Sequence, residues 1–302
     1  MYGVIDIGSN TIRLVIYKIK DNKIVPMLNK KNAAGLAGYI DKKNNLKPEG
    51  IEKTVQALLE FDELLQNMSV KEIFPFATAS LRNIENSAEV LAYLKEKTPF
   101  NIEILSGQEE ALFDYYGAVQ SLDMNSGIMV DIGGGSTELV FYKNKDIKYA
   151  TSLPIGSLNI FDKFVEDLIP TKKEIANIQK EVKKQLESIK LPDISLSLDQ
   201  ICGVGGTARA VYKILSDKSK DGKYKCDELS KLVSIASIEP RKLTDKVLKT
   251  SPDRIHTFAP GVVILNTIAE FYNTKTVITS DYGVREGYLH YILVKRGILS
   301  GN

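Results

Sequence analysis

Two aspartates, Asp6 and Asp131, each close a β-branched run and each precede a tight turn of glycine and hydroxyl residues. The segments around them are copies. Residues 4–17 read Val-Ile-Asp-Ile-Gly-Ser-Asn-Thr-Ile-Arg-Leu-Val-Ile-Tyr, and residues 129–142 read Met-Val-Asp-Ile-Gly-Gly-Gly-Ser-Thr-Glu-Leu-Val-Phe-Tyr. Such turns suit phosphate. Glycine or serine lets successive backbone N–H groups point into one concavity, and that nest of partial positive charge accepts a phosphate oxygen. If the two hairpins face each other across a cleft with phosphate between them, Asp6 and Asp131 would hold a hard cation, directly or through water. In register, Arg13 matches Glu138. The repeat has diverged into a basic and an acidic half, as a site requires that both holds an anion and handles a proton or a metal. His256 and His290 stand apart from each other, as do Cys202 and Cys226. Zinc and histidine-nucleophile arrangements are therefore not indicated, and proton chemistry falls to carboxylates.

Arginine is scarce and placed selectively. Only seven of the 40 basic residues are arginine, and Arg13, Arg82, Arg209 and Arg285 lie in Gly- or hydroxyl-rich segments. Lysine supplies solubility, while the planar guanidinium fork suits pairs of phosphate oxygens.

The elements that position these groups alternate between strands and helices. Each aspartate hairpin is a strand, a turn and a second alternating strand, and the Asn-Lys-Lys-Asn run with Gly35 to Gly38 reads as a turn. Helical spacing predicts a helix over residues 51–68, and a buried strand over 73–78 brings Arg82 to its carboxyl end, where α/β sheets bind ligands. A helix follows from residue 86 or 87 to 97, then a strand over 101–105. Ser106-Gly107-Gln108-Glu109-Glu110 opens a helix running to about Ser121, and Leu122 to Ser126 reads as an interdomain hinge. In the second half a strand near 147–151 precedes a short helix after Gly156. Thr171 and Glu174 form a capping box for a lysine-rich helix ending at Lys190. A strand over 198–204 runs into a third glycine turn, Gly205-Gly206-Thr207, and a helix over 208–217 whose N-terminus suits an anion. Further helices are predicted near 226–236 and 260–272. A strand over 276–279 leads to a fourth loop containing Arg285, and a final helix.

The chain has 302 residues, 43% hydrophobic and 26% charged, with a net charge of +2. That is an α/β chain of two domains, expected at 1–123 and 124–302. The small net charge argues against nucleic acid as partner, and no stretch approaches a membrane span. With no basic-then-apolar leader before Ile5, a cytoplasmic location is expected.

The strand, hairpin and helix order, repeated with inward glycine turns, resembles paired ribonuclease-H-like domains of the actin-like ATPase superfamily. Five ordered motifs carry the resemblance further: residues 6–13, residues 77–82 with Asn86, residues 106–111, residues 131–138 and residues 283–287. Together they resemble the exopolyphosphatase and guanosine pentaphosphate phosphohydrolase (Ppx/GppA) family across nearly the whole chain. The resemblance implies two ribonuclease-H-like domains with an interdomain active-site cleft. It also implies a Mg²⁺- or Mn²⁺-dependent phosphohydrolase that removes the terminal phosphate of inorganic polyphosphate or of pppGpp. Its water-activating glutamate maps to Glu110, with Glu109 the alternative and Glu138 the partner at the metal or water. Asp6, Asp131 and Glu138 would bind the metal. Ser9, Asn10, Thr11, Arg13, Ser80, Arg82, Gly133, Gly134, Gly135, Ser136 and Thr137 would hold phosphate, and the third turn adds Gly206 and Thr207. Arg285 and Glu286 are read as braces of the second domain.

The chain also departs from that family. Lys30 to Gly38 has no arginine where many members have one, and the chain ends at Asn302, where larger members carry a helical extension. Short polyphosphates, nucleotides or pppGpp are therefore expected as ligands over long chains. The competing readings are an ATP-dependent kinase or ATPase of the same superfamily, with an adenosine pocket around Gly205 to Thr207, and a non-catalytic ppGpp or polyphosphate sensor. For the lysine-rich helix three roles stay open: a homodimer surface, a polyanion track, or a solvated face.

Overall fold

The computed structural model describes residues 1–191, 198–215 and 221–300. These form two compact units, one of residues 1–110 with the chain from Arg285 onward, the other of residues 111–284. The first unit is built on a five-stranded sheet in the order β3-β2-β1-β4-β5. Its strands are β1 (Tyr2–Ile7), β2 (Ile12–Lys20), β3 (Lys23–Asn32), β4 (Glu72–Ala77) and β5 (Glu103–Ile104). The first three make an antiparallel meander, and β4 lies parallel to β1. Helices α1 (Pro48–Gln66) and α3 (Ser87–Lys97) follow the sequence pattern, while the turn expected after β4 is a single helical turn, α2 (Ala79–Arg82). Val55, Leu58, Phe61 and Leu65 on α1 pack with Ile5, Leu14 and Ile16 of the sheet in one core.

The second unit repeats the plan. Strands β6 (Gly127–Ile132), β7 (Thr137–Lys143) and β8 (Asp146–Leu153) form the same meander, and β9 (Gln200–Val204) lies parallel to β6 as β4 does to β1. Strands β10 (Lys223–Lys225) and β11 (Thr276–Thr279) complete the order β10-β11-β9-β6-β7-β8. Even the irregularities correspond. The pairing of the second and third strands shifts register at Ile16/Tyr17 in one unit and at Phe141/Tyr142 in the other, which are matching positions of the repeat. Helices α5 (Ser157–Phe164), α6 (Lys172–Glu187), α7 (Gly205–Ile214), α8 (Cys226–Ile238), α9 (Pro240–Thr250) and α10 (Phe258–Phe271) surround this sheet. Residues 258–269 of α10 are buried without interruption, so this apolar helix is the centre of the unit's core. Among the described residues no helix is long and apolar enough to cross a membrane.

Several expectations change at this level. The Asn29 to Asn32 run is not a turn: it is the end of β3, paired with the start of β2. Its lysines and asparagines lack an apolar rhythm because β3 is an edge strand, where charge discourages pairing with other chains. Helix α9 and strand β10, which were not expected, also lie in charged sequence. Helix α6 stops at Glu187 rather than Lys190. Helix α7 starts at Gly205, so the third glycine turn is the helix's own first turn; the expected end at Asp217 lies outside the described residues.

The two remaining helices carry the chain from one unit to the other. Helix α4 (Gly107–Ala118) passes into the second unit after Glu110, and α11 (Val284–Lys295) passes into the first after Val284. The sequence reading divides the chain at residue 123 instead. Within the second unit α4 comes close to the loop before α11, and a Cβ on Gly117 would overlap the Gly283 backbone. Because backbone cannot move aside as a side chain can, Gly117→Ala should destabilise the fold by about 1–3 kcal/mol, measured by denaturant unfolding; an unchanged midpoint would show that the two segments can separate.

Candidate functional site

Both aspartate turns are held by their carbonyl groups. In the first unit the Gly8 N–H donates to the Thr11 carbonyl at 3.0 Å, closing the turn. The Ile7 carbonyl at the end of β1 accepts from the Ser80 hydroxyl, and the Ser9 and Asn10 carbonyls accept from the Ala37 and Gly35 amides, each at 3.0 Å. With their carbonyls engaged on the far side, the turn's amides face away from the protein. Among the described residues the Ser9 and Asn10 N–H groups donate no hydrogen bond, and the Ser9, Asn10 and Thr11 side chains have no bonding partner.

The second turn is built the same way. The Gly133 N–H donates to the Ser136 carbonyl at 2.9 Å. The Gly133 carbonyl accepts from the Ser157 amide and hydroxyl at 2.8 and 3.0 Å, and the Gly134 carbonyl from the Leu158 and Asn159 amides at 2.9 and 3.1 Å. The Gly135 carbonyl accepts from the Asn159 side chain at 2.9 Å. All these donors lie in the first turn of α5, whose own N-terminal amides need acceptors. Gly156 is required there, because a Cβ would overlap the Gly134 backbone. The Ile132 carbonyl accepts from the Thr207 hydroxyl at 3.3 Å, as Ile7 accepts from Ser80.

This arrangement divides the residues expected at phosphate. Ser80, Thr137 and Thr207 are buried, and their hydroxyl protons are committed to the Ile7, Ile155 and Ile132 carbonyls respectively. They shape the turns. Among the described residues the groups left uncommitted are the Ser9 and Asn10 amides, the Ser9, Asn10 and Thr11 side chains, and the amides of Gly134, Gly135 and Ser136; Ser136 itself is buried. At α7, Gly205 takes the left-handed φ of 74°, and a Cβ there would fall on the Asp131 carboxylate. Gly206 lies against the Arg254 guanidinium, which would meet any side chain at that position. Arg254 is a residue the sequence reading passed over. Burial lowers its pKa, as does the like charge of Arg209, against the pull of Asp253 and Asp131. An arginine in such surroundings stays protonated and adds an anion-accepting fork beside the N-terminus of α7. Arg209 itself turns to the Ser280 and Asp281 carbonyls at 3.2 and 3.5 Å.

The carboxylates are equally sorted. Glu109 completes a capping box with Ser106, accepting from the Ser106 amide at 2.8 Å while Ser106 accepts from the Glu109 amide at 3.2 Å. Glu110, one residue on, turns instead to Arg82 at 2.8 Å. The same Arg82 nitrogen donates to the Leu105 carbonyl at 2.9 Å, fixing the arginine at the end of β5. In the second unit Glu138 lies directly opposite Asp131 across the β6–β7 pair and accepts from the Ser152 hydroxyl at 2.8 Å.

Arg285 and Glu286, expected as braces of the second domain, belong to the first unit. They begin the part of α11 that belongs to the first, where Arg285 pairs with Asp6 at 2.7 Å and Glu286 accepts from the Tyr17 hydroxyl at 2.5 Å. Burial opposes the Arg285 charge, but Glu286, Asp6 and Tyr17 overcome it and hold the pKa above the ordinary value. Burial and then the Glu286 carboxylate push the Tyr17 phenol well up, so it remains a proton donor. Asp6 is thus clamped through Oδ2, with the Gly8 turn on the side of Oδ1.

The comparisons with known proteins agree with this architecture. A model of the Ppx/GppA phosphatase family matches residues 15–296. A Haemophilus influenzae protein named as a candidate exopolyphosphatase is 25% identical over 291 residues, 95% of this chain and 90% of that protein. A guanosine-5'-triphosphate,3'-diphosphate pyrophosphatase of Vibrio cholerae is 26% identical over 96% of this chain, which spans 59% of the length of that protein. The crystal structure of the Aquifex aeolicus Ppx/GppA family member superposes with a TM-score of 0.81 at 27% identity, covering 98% of each chain.

Arg285→Met would strand two largely buried carboxylates, those of Asp6 and Glu286. It should cost about 3–5 kcal/mol of unfolding free energy, while Arg285→Lys, keeping the charge, should cost clearly less; equal losses in the two variants, measured by denaturant titration, would mean that packing and not charge is what Arg285 supplies.

Proposed function

Since the chain belongs to the Ppx/GppA phosphatase family, we propose that it hydrolyses the terminal phosphoanhydride bond of inorganic polyphosphate or of pppGpp, with Glu110 as general base. The observation that carries the assignment is the sorting of Glu109 from Glu110. One carboxylate is spent on capping its own helix; the other is held by a guanidinium at a strand's carboxyl end. A base must be fixed in place before it can orient water, and Arg82 fixes it.

The reaction asks little covalent chemistry of the protein. Glu110 takes a proton from water as the water oxygen bonds to the terminal phosphorus; the bridging P–O bond breaks, and its electrons leave with the shortened polyanion. The outward amides of the glycine turns stabilise negative charge on the phosphoryl oxygens without having to reorganise. Arg13 of β2, opposite Asp6 and donating to the Asn29 side chain at 3.2 Å, would offer its guanidinium to the same phosphate. Arg254 serves the anion at α7.

A hard divalent cation is part of this reading. Asp6, Asp131 and Glu138 are oxygen donors, and among the described residues no group of three or more His, Cys, Asp or Glu side chains gathers. Mg²⁺ suits such a sparse set, because it keeps several waters and takes one or two carboxylates together with substrate phosphates. Mn²⁺ would bind the same oxygens. When bound, the cation would neutralise charge on the phosphate oxygens.

The test is phosphate release with Mg²⁺ from short polyphosphate, long polyphosphate, pppGpp and ATP in parallel. Glu110→Gln should lower kcat by roughly 10²- to 10⁴-fold, while Glu109→Gln, which can still complete the capping box, should turn over at close to the wild-type rate. The reverse pattern would move the base to Glu109. Tight binding with no release by the wild type would turn the site into a sensor.

A further inference from the structure

The orientation of the second phosphate turn depends on one exposed side chain. A peptide unit carries the C=O of one residue and the N–H of the next, so a carbonyl pinned backwards fixes the following amide forwards. Along residues 133–136 this happens three times. The Gly133 carbonyl, held by Ser157, sets the Gly134 amide; the Gly134 carbonyl, held by the Leu158 and Asn159 amides, sets the Gly135 amide. The third peptide differs. The Gly135 carbonyl, which sets the Ser136 amide, is held by the Asn159 side chain through Nδ2 at 2.9 Å. Gly135, on the N-terminal side of this peptide, offers little resistance to its turning over, so only the Ser136 φ and the held carbonyl oppose it. A turned peptide would present a carbonyl oxygen where the Ser136 amide belongs.

We propose that Asn159 is a positioning residue for the phosphate turn: it holds the Gly135–Ser136 peptide with its N–H toward the bound phosphate. The proposal rests on the reading that this turn binds phosphate. The side chain has two ends with separable tasks. Its Oδ1 accepts from the Gly156 amide at 2.7 Å, which caps α5, while Nδ2 reaches the Gly135 carbonyl and, at 3.3 Å, the Pro154 carbonyl. Only the second task concerns the turn. The first unit does the equivalent work entirely with backbone amides, those of Gly35 and Ala37. The second turn is therefore the one that a single side-chain substitution can disarm.

The two ends make the test sharp. Asn159→Asp keeps the acceptor for Gly156 and adds a negative charge at a helix N-terminus, which favours the helix, but it removes the donor to Gly135. Asn159→Ala removes both. The probe is the methylene-bridged analogue of tripolyphosphate, which cannot be hydrolysed, bound in the presence of Mg²⁺ and followed by calorimetry. Both variants should lose roughly 10- to 100-fold in affinity, the worth of a hydrogen bond to a charged group. The loss in Asn159→Asp should persist at 0.5 M NaCl, where charge repulsion is screened, and this variant should melt at or above the wild-type temperature. A capping residue alone would show the opposite: Asp equal to Asn in affinity, and Ala weakened only as far as its melting temperature falls. Either of those results overturns the proposal. A wild-type protein that binds no analogue overturns the functional reading itself, and the proposal with it.

Discussion

A turn that is to bind phosphate through its backbone amides requires that the intervening carbonyls be occupied elsewhere. Each peptide in a turn brings an acceptor with its donor, and an unheld carbonyl is free to face the anion and repel it. Much of the local architecture follows from meeting this requirement twice. In each unit a hydroxyl from the helix after the parallel strand holds the carbonyl ending the first strand: Ser80 on Ile7 and Thr207 on Ile132. In each unit the segment after the third strand supplies amides to the turn's carbonyls: Gly35 and Ala37 in one, the start of α5 in the other. The repeat is thus not only a hairpin. It is a hairpin with its two outside supports.

The copies differ where charge is placed. Tyr17 and Tyr142 occupy matching positions, and both are buried. The Tyr17 hydroxyl bonds Glu286 beside Arg285, whereas the Tyr142 hydroxyl has no hydrogen-bond partner among the described residues. Tyr142 packs against Tyr115 of α4, with ring centroids 5.3 Å apart. The Tyr17–Glu286 hydrogen bond therefore has no counterpart at the matching tyrosine. Burying such a group is costly unless every charge finds a partner. The first unit accepts that cost around Asp6 of β1, which lies opposite Arg13 of β2; in the second unit the matching Asp131 lies opposite Glu138.

How far the site was legible follows the same physics. The hairpins, the flanking helices and the capping box at Thr171 were readable because each is a local pattern: alternation, helical spacing, or a hydroxyl three residues before a glutamate. The Asp6 and Asp131 registers followed from the repeat itself. Strand β3 was not readable, since an edge strand such as Lys23–Asn32 carries charge instead of alternation. Arg254 was missed because its signal is not in its own neighbourhood; only the fold brings it to Gly206. Ser80, Thr137 and Thr207 were expected at phosphate from their places in the sequence, but whether a hydroxyl points at a ligand or at a carbonyl is a rotamer choice the sequence does not carry. The side of the molecule that Arg285 serves was hidden for a different reason. Its helix is last in the chain yet belongs to the first unit.

The pair Glu109 and Glu110 shows how a local rule and a functional demand can share a segment without conflict. Neighbours on a helix point about 100° apart, so two adjacent glutamates cannot both cap and both reach the same arginine. The Ser106-x-x-Glu109 spacing assigns the cap, which fixes the first turn of α4 and with it the direction of the next side chain. Glu110 then meets Arg82, itself tied to the Leu105 carbonyl at the strand's end. The cap is remote from any chemistry, yet it sets the angle at which the carboxylate leaves the helix. Leaving α4 to fray would release that angle before it cost the fold much stability, so the geometry of Glu110 is only as firm as the box formed by its neighbour.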